Sequence, residues 1–518
     1  MVTCANVTLG QKLVLIQTSQ VLIDADDPSR YISRALAKRI IENMTGAFEP
    51  QSVVCLHLLN DILYVPVVLA ILASQAIWTG TNPAYTAAEL ADHLSRSAAK
   101  YVLVEEKDLA TALEATSGCR TCGLVVIVED LVARSSATSC PTGGHRSAQV
   151  VSLSALIARK STTMVAKSSP SSSERSLAAL MSTSGTTGLP KLACRTHRAL
   201  LLESHATSDD GKDKDYDVRR LFCTPVFHAF SLILVVVNAL RYGHRTYIMK
   251  RYDHTFTEKV CEFGITQTAV TPAILHRLVS SHEEGVGELR GLRLVWCAGS
   301  ALFNDLRSRA LSLLRPDARI VQVLGMTEGG WFTTFKYPEE SHDESVGRLL
   351  DGLHITVSGD QSIMGSPDRT VGELLVRGPQ LMTGYFNDTC ATEHAFERGW
   401  LKTGDLGYVK DGRVYLIDRV KSIIKVNGFQ VSPAELEGVI WRCRQVTDCA
   451  VTRGGSGLSE HPLVSIVPAS AWLAEADVRE HMLLSLARYK VASCRIRFVD
   501  AIPRGTTGKV LTRRLLDT

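Results

Sequence analysis

The sequence predicts an α/β protein with a large N-terminal domain and a small α+β C-terminal domain. Short apolar runs alternate with helix-like stretches from residue 35 to 160 and from 219 to 335, which is typical of parallel sheets covered by helices. After about residue 345, turn pairs such as Asp411-Gly412 separate β-rich runs and predict hairpins in a β-barrel-like part. The last hundred residues contain two helical patterns, Pro433 to Trp441 and Ala476 to Leu486.

Composition favours a soluble globular chain. The 518 residues suffice for three or four folding units of roughly 150 residues each. The 57 Lys and Arg residues nearly balance 53 Asp and Glu residues, and a formal charge of +4 argues against an obligate nucleic-acid binder. The longest apolar run, Ile62 to Ala73, contains Pro66. Its length predicts a buried helix or a pair of strands rather than a membrane span.

The termini and the cysteines predict a reducing, cytoplasmic setting. We expect no signal peptide and no transmembrane helix, and the C-terminal LLDT differs from the S-K-L peroxisomal signal. The 13 cysteines include one close pair, Cys119 and Cys122, with no second C-x-x-C to complete a zinc site. Unpaired thiols are therefore expected.

The strongest chemical motif is the run from Ser182 to Lys191, which follows a predicted strand, Leu177 to Met181. Successive small residues let the backbone turn sharply and point N–H groups at an anion, while hydroxyl groups and one ammonium add donors. The run is not a Walker A loop, because Leu189-Pro190 separates the last glycine from the lysine. The expected phosphate-binding residues are Ser182, Thr183, Ser184, Gly185, Thr186, Thr187, Gly188 and Lys191.

This run resembles the signature of the acyl-adenylate-forming (AMP-binding) superfamily, which includes acyl-CoA synthetases, luciferases and peptide-synthetase adenylation domains. Further motifs in the same order, among them Asn82 to Thr86 and Gly372 to Pro379, extend the resemblance over nearly the whole chain. Its nearest branch is the 4-coumarate:CoA ligase-like acyl-CoA synthetases. The resemblance implies an N-terminal domain, residues 1–418, and a mobile C-terminal domain, residues 419–518, which turns about the hinge residue Lys421.

The resemblance also implies the nucleotide site, part of which follows a predicted strand, Ile320 to Leu324. Glu328 would bind Mg²⁺ and Thr327 would contact a phosphate, and one carboxylate can suffice because magnesium takes other ligands from phosphate and water. Asp405 and Arg419 would hold the ribose hydroxyl groups. The residues implied to contact adenine are Gly299, Ser300, Ala301 and Leu324, the last standing where an aromatic side chain often stacks.

The C-terminal hundred residues supply the remaining implied contacts. Lys425 and Gln430 match residues that contact the adenylate, and Asn427, Gly428 and Phe429 are expected to bind CoA. Lys509 matches the family's mobile catalytic lysine. Negative charge builds on the α-phosphate and on the leaving pyrophosphate during acyl-AMP formation, and a positioned ammonium would stabilise it.

The acid pocket is expected around His228, Ala229 and Phe230, together with Val323 and Trp331. Amino-acid-activating relatives carry Asp where this chain has His228, so an α-ammonium would lack its carboxylate partner. His228 is expected instead to flank the acid and the thiol tunnel, as one of the catalytic residues. The bulk of Val323, Trp331 and Phe332 predicts a pocket reshaped away from a flat hydroxycinnamate.

Together these motifs predict an ATP- and Mg²⁺-dependent acyl-CoA ligase. An apolar aryl or medium-chain carboxylic acid would form acyl-AMP with loss of pyrophosphate, and the acyl group would then pass to the thiol of CoA, in secondary metabolism. Two alternatives stay open: an acyl-AMP ligase that loads a carrier protein of a polyketide or peptide synthetase, and a nucleotide-binding module without turnover.

Overall fold

The computed structural model describes residues 22–128, 148–158, 175–183, 190–208, 214–283, 289–339, 343–358, 370–426, 429–455, 460–470, 472–505 and 509–516. The strands, in chain order, are β1 Leu22–Asp24, β2 Tyr31–Ile32, β3 Val53–His57, β4 Ile77–Gly80, β5 Ala99–Val104, β6 Leu124–Ile127, β7 Gln149–Ser152, β8 Leu177–Ser182, β9 Leu192–Thr196, β10 Arg219–Phe222, β11 Arg245–Ile248, β12 Gln267–Val270, β13 Leu294–Cys297, β14 Arg319–Gln322, β15 Leu324–Met326, β16 Gly330–Thr334, β17 Ser345–Leu349, β18 His354–Ser358, β19 Gly372–Arg377, β20 Phe396–Glu397, β21 Trp400–Lys410, β22 Arg413–Arg419, β23 Ile424–Val426, β24 Phe429–Val431, β25 Val446–Gly454, β26 His461–Pro468 and β27 Arg495–Phe498.

Helices alternate with these strands over most of the chain. The α-helices are Arg34–Met44, Tyr64–Ala73, Ala87–Ser97, Leu109–Ser117, Leu153–Ala158, His197–Thr207, Ala229–Leu232, Asn238–Tyr242, Phe256–Glu262, Pro272–Glu283, Asn304–Leu313, Thr389–Ala395, Pro433–Ile440, Glu475–Leu483, Arg488–Ala492 and Thr512–Leu516. A π-helical turn, Ile233–Val237, joins two of them. The mixture agrees with the predicted α/β fold class.

Two seven-stranded sheets form the α/β part. The first has the order β7-β6-β5-β3-β4-β8-β9, and only β8 and β9 pair antiparallel. The second has the order β14-β13-β12-β10-β11-β1-β2, and only β1 and β2 pair antiparallel. The alternation of apolar runs and helix-like stretches therefore predicted parallel sheets correctly.

The helix Tyr64–Ala73 lies in a core that both sheets share. Its residues are apolar around almost the whole circumference and nearly all are buried, as expected of a helix enclosed by protein. Pro66 stands in its first turn, where a missing N–H leaves no intrahelical hydrogen bond unmade. The same core contains Leu56 of β3 and Phe222 of β10. Among the described residues, no helix has the length and hydropathy needed to cross a membrane.

The hairpins predicted after residue 345 form an antiparallel sheet. Its order is β15-β16-β17-β22-β21-β19-β18, with β20 beside β21. Beyond it, β25, β26 and β27 form a three-stranded sheet, and the hairpin β23–β24 packs with that sheet and nearby helices in a separate core that includes Ile424 and Val464. This smaller α+β part agrees with the predicted fold class. β22 ends at Arg419, where the predicted boundary of residues 419–518 begins.

One predicted strand, Ile320 to Leu324, is two strands in the structure. β14 ends at Gln322 in a parallel sheet, whereas β15 begins at Leu324 in the antiparallel sheet. Val323 between them still donates its N–H to the Cys297 carbonyl oxygen at 2.9 Å. The chain thus passes from one sheet to the other immediately before Thr327 and Glu328, which places both residues where the sheets meet.

Three buried histidines and the partly buried His228 predict a loss of stability in mild acid. Burial lowers the pKa of His57, His93, His197 and His228 from 6.5 to about 4. Between these values the unfolded chain binds more protons than the folded chain, so the free energy of unfolding should fall as pH drops from 6.5 towards 4. Urea unfolding at several pH values measures this slope, to which each histidine adds at most about 1.4 kcal/mol per pH unit.

The variant His197→Leu provides the control. Both ring nitrogens of His197 are buried without a hydrogen-bond partner in the described part of the chain, so its removal leaves no broken bond. The variant should unfold with a shallower dependence on pH than the wild type. An identical slope for both proteins would contradict the prediction.

Candidate active site

A cleft of about 2510 Å³ lies where the two parallel sheets, the antiparallel sheet and the C-terminal part meet. Most of the predicted site residues line it, although the sequence spreads them over more than three hundred positions. They are Thr183, Lys191, His228, Ala229, Phe230, Gly299, Ser300, Ala301, Val323, Leu324, Thr327, Glu328, Trp331, Asp405, Arg419, Lys421 and Lys509.

The other predicted residues lie elsewhere or outside the described residues. Ser182 ends β8, and neither it nor Phe332 of β16 is among the residues that line the cleft in the described part of the chain. Lys425 and Gln430 face each other as backbone partners in the hairpin β23–β24, which also contains Phe429. The rest fall outside the described residues, namely Ser184, Gly185, Thr186, Thr187, Gly188, Asn427 and Gly428.

The two ends of the predicted phosphate loop are hydrogen-bonded to each other. The Thr183 N–H donates to the Lys191 carbonyl oxygen at 2.8 Å, and the Lys191 N–H donates to Thr183 Oγ1 at 3.3 Å. The loop thus connects the antiparallel strands β8 and β9, whereas a Walker A loop leads into a helix. Lys191 Nζ lies 5.0 Å from the centre of the Tyr385 ring, a cation–π distance.

The turn between β15 and β16 presents Glu328. Its carboxylate oxygen Oε1 accepts a hydrogen bond of 2.7 Å from the Tyr385 hydroxyl, and its backbone carbonyl accepts one of 2.7 Å from the Met382 N–H. The side chain is therefore oriented while Oε2 remains available to a cation. Sequence reasoning missed Tyr385, because no local pattern connects it with a carboxylate 57 residues away.

Asp405 and Arg419 form an ion pair across neighbouring strands. They are direct partners in the β21–β22 ladder, and Arg419 Nη1 lies 2.8 Å from Asp405 Oδ1. Gly404 has a φ of +71°, and a Cβ atom there would lie 3.2 Å from Arg419 Nη2. Glycine at this position therefore lets the guanidinium lie close to the strand. Burial raises the pKa of Asp405, and the Arg419 charge opposes that shift.

Lys509 reaches this cleft from near the C-terminus. Desolvation in the cleft and the Arg419 charge lower its pKa, whereas Asp405 and Glu328 raise it. The segment is fixed by a bridge between Arg504 and Val510 and by two hydrogen bonds, of 3.2 Å and 2.7 Å, from Arg504 to the Asp448 carboxylate of β25. Sequence reasoning also missed this anchor.

His228 borders the apolar end of the cleft. It caps the helix Ala229–Leu232, and its Nδ1 accepts a hydrogen bond of 3.4 Å from the Phe230 N–H. Burial and the charge of Lys509 lower the pKa of His228 to about 4. The imidazole is therefore neutral near pH 7, and its proton lies on Nε2. The buried residues Ala229, Phe230, Val323 and Trp331 line the same cleft.

Comparison with known proteins identifies the family. Residues 32–386 match the model of the AMP-binding enzyme family. The chain is 43% identical over 495 residues to the acyl-CoA ligase M9 of Phoma sp., covering 95% of this chain and 92% of that protein. It is 35% identical over 519 residues to the phenylacetyl-CoA ligase epaB of Aspergillus niger, covering 96% of this chain and 93% of that protein.

Solved structures agree with the fold. The anthranilate CoA ligase AuaEII, in complex with anthranoyl-AMP, superposes with a TM-score of 0.83 at 20% identity, covering 99% of this chain and 97% of that chain. The chain belongs to the AMP-binding enzyme family. These findings also confirm the predicted enzyme class, an AMP-forming acyl-CoA ligase.

Proposed function

We propose that the protein activates a compact apolar carboxylic acid, of the aryl type, with ATP and then transfers the acyl group to CoA. The observation that carries this proposal is the meeting of Lys509, Glu328 and the Asp405–Arg419 pair in one cleft beside the apolar residues near His228. Relatives with names such as phenylacetyl-CoA ligase support an aryl acid.

The first step would join the acid to the nucleotide. A carboxylate oxygen of the acid attacks the α-phosphorus of ATP, the bond to the β-phosphate breaks, and pyrophosphate leaves. Lys191 at the phosphate loop and Lys509 in the same cleft would stabilise the negative charge that builds on these oxygens. Asp405 would accept hydrogen bonds from the ribose hydroxyl groups, with Arg419 holding its carboxylate.

The residues present fit a magnesium ion. Mg²⁺ is held by few carboxylates and by phosphate oxygens, and Glu328 offers one oxygen because the other accepts the Tyr385 hydrogen bond. When bound, the ion would neutralise phosphate charge during pyrophosphate loss.

The second step would transfer the acyl group. The sulfur of CoA attacks the acyl carbonyl carbon, the bond to AMP breaks, and AMP leaves while the thiol proton passes to the departing phosphate or to water. The neutral His228 would border both reactants and offer an N–H donor without adding a charge to the acid pocket. Residues 419–518, as a mobile domain turning about Lys421, would carry Lys509 away between the steps.

A panel of acids tests this function. Purified protein with ATP and Mg²⁺ would receive benzoic, phenylacetic, cinnamic, medium-chain and long-chain acids, each with and without CoA. We expect pyrophosphate release and acyl-CoA with benzoic and phenylacetic acids. Enzyme-bound acyl-AMP that does not react with CoA would indicate loading of a carrier protein instead, and ATP binding without turnover of any acid would indicate a non-catalytic module.

A further inference from the structure

A buried ion pair lies behind the turn that carries Glu328. Arg195 in β9 and Glu203 in the helix His197–Thr207 are each 1% exposed, and Arg195 Nη2 lies 2.8 Å from Glu203 Oε2. Burying two charges removes their hydration, and their mutual attraction often does no more than offset that cost. Stability alone is therefore a weak explanation for this pair.

Glu203 also contacts the backbone of the turn. Its Oε1 accepts a hydrogen bond of 2.9 Å from the Trp331 N–H. Gly330, the preceding residue, has a φ of +73°, and a Cβ atom there would lie 2.1 Å from the same oxygen. Because only glycine leaves this space, the carboxylate packs directly against the chain just beyond Glu328.

Gln380 binds two further backbone groups of the same turn. Its Nε2 donates hydrogen bonds to the Gly329 carbonyl oxygen at 3.0 Å and to the Trp331 carbonyl oxygen at 2.6 Å. Gln380 is buried, so these bonds form away from water. Glu203 and Gln380 together fix the backbone from Gly329 to Trp331.

This fixed backbone determines where the Trp331 indole lies. The indole stacks on the Phe230 ring, with the ring centroids 5.5 Å apart and the ring planes at 21°. Its Nε1 also donates a hydrogen bond of 3.1 Å to the Phe230 carbonyl oxygen. The Trp296 ring packs against another side of the indole, with the ring centroids 6.4 Å apart and the ring planes at 68°. The indole therefore fills the space between these two aromatic residues at the apolar end of the cleft.

We propose that Glu203, with its charge balanced by Arg195, and Gln380 are positioning residues that hold Trp331 against Phe230 and so limit the length of the acid. This inference rests on the proposed function, in which Phe230 and Trp331 line the acid pocket. The acid is then a single ring with a short carboxylate arm, because the indole occupies the space that a longer acid needs.

The paired substitution Arg195→Met with Glu203→Leu tests the proposal. It removes both charges together, and such apolar replacement of a buried pair is often neutral for stability, whereas the Trp331 N–H loses its acceptor. We expect the ratio of kcat/KM for 4-phenylbutyric acid to that for benzoic acid to rise at least about tenfold, while KM for ATP stays within about twofold. A purely stabilising pair would leave that ratio unchanged.

Comparison with Trp331→Ala establishes whether the pair acts through the indole. Removing the side chain should shift the same ratio in the same direction. Adding the paired substitution to Trp331→Ala should then change the ratio no further, since effects that share one route do not add. The pair Asp26–Lys259 supplies a matched control, because Lys259→Met with Asp26→Leu removes an ion pair elsewhere and should keep the wild-type ratio.

A second variant tests the proposal if the protein with the paired substitution does not fold. Glu203→Asp retains the charge beside Arg195 but shortens the reach towards the Trp331 N–H by about 1.5 Å, and it should shift the ratio in the same direction. A folded variant of either kind with the wild-type ratio would overturn the proposal. If the wild type itself turns over no acid, the proposed function fails instead, and the two failures remain distinct.

Discussion

Replacing Lys509 with alanine is expected to lower the rate of acyl-AMP formation by about 10²- to 10³-fold, with ATP affinity within about twofold of the wild type. The ammonium interacts electrostatically with Arg419, Asp405 and Glu328, and further negative charge would build on the nearby phosphates as the acid attacks. An interaction made mainly in the transition state lowers kcat rather than substrate binding. Pyrophosphate release at saturating acid and ATP measures the rate, and calorimetry measures ATP binding.

The pH dependence gives a second measurement of the same residue. Desolvation and Arg419 lower the pKa of Lys509 from its ordinary 10.5. Because the protonated ammonium is the active form, adenylation by the wild type should decline on the alkaline side at a pH below 10.5. The residual activity of Lys509→Ala should lack that decline.

Two controls separate this role from a general defect. Lys490, in the same C-terminal part, pairs with Glu435, and Lys490→Ala should adenylate at the wild-type rate. Lys509→Ala supplied with synthetic acyl-AMP should transfer the acyl group to CoA normally, if Lys509 leaves the site for the second step. Undiminished pyrophosphate release by Lys509→Ala would contradict its assignment.

The sequence predicted those features that depend on neighbouring residues. Alternation of apolar runs predicted both parallel sheets, because a strand such as Leu124–Ile127 is a run of apolar residues visible within a few positions. The continuous strand predicted from Ile320 to Leu324 was wrong, because the change of sheet at Val323 depends on strands distant in sequence. Motif resemblance, rather than periodicity, predicted the residues that meet in the cleft.

The supporting residues of the site could not be predicted in this way. Glu203 reaches a backbone N–H 128 residues further along the chain, and Arg504 anchors the Lys509 segment to a strand residue 56 positions away. In sequence, each is an ordinary charged residue within a helix or a loop. Only the packed fold shows that each one orients a residue lining the cleft.

Replacing Glu328 with glutamine is also expected to lower the rate of acyl-AMP formation strongly. The amide keeps the size of the side chain and removes the negative charge that would bind Mg²⁺, so pyrophosphate release should fall by about 10²-fold or more at millimolar Mg²⁺. Titration with Mg²⁺ should show a higher half-saturating concentration, while ATP binding without Mg²⁺ should change little. Glu393→Gln, an exposed carboxylate on the helix Thr389–Ala395, should behave as the wild type.

The variant Tyr385→Phe separates orientation of this carboxylate from its charge. Glu328 keeps both oxygens and its charge but loses the 2.7 Å hydrogen bond from Tyr385 that orients its carboxylate. The half-saturating Mg²⁺ concentration should rise about tenfold, as is typical when a partner of a metal ligand is removed, with KM for the acid unchanged. If one oriented oxygen of Glu328 binds Mg²⁺, the half-saturating Mg²⁺ concentration should increase in the order wild type, Tyr385→Phe, Glu328→Gln. Identical Mg²⁺ titrations for all three would exclude Glu328 as the metal ligand.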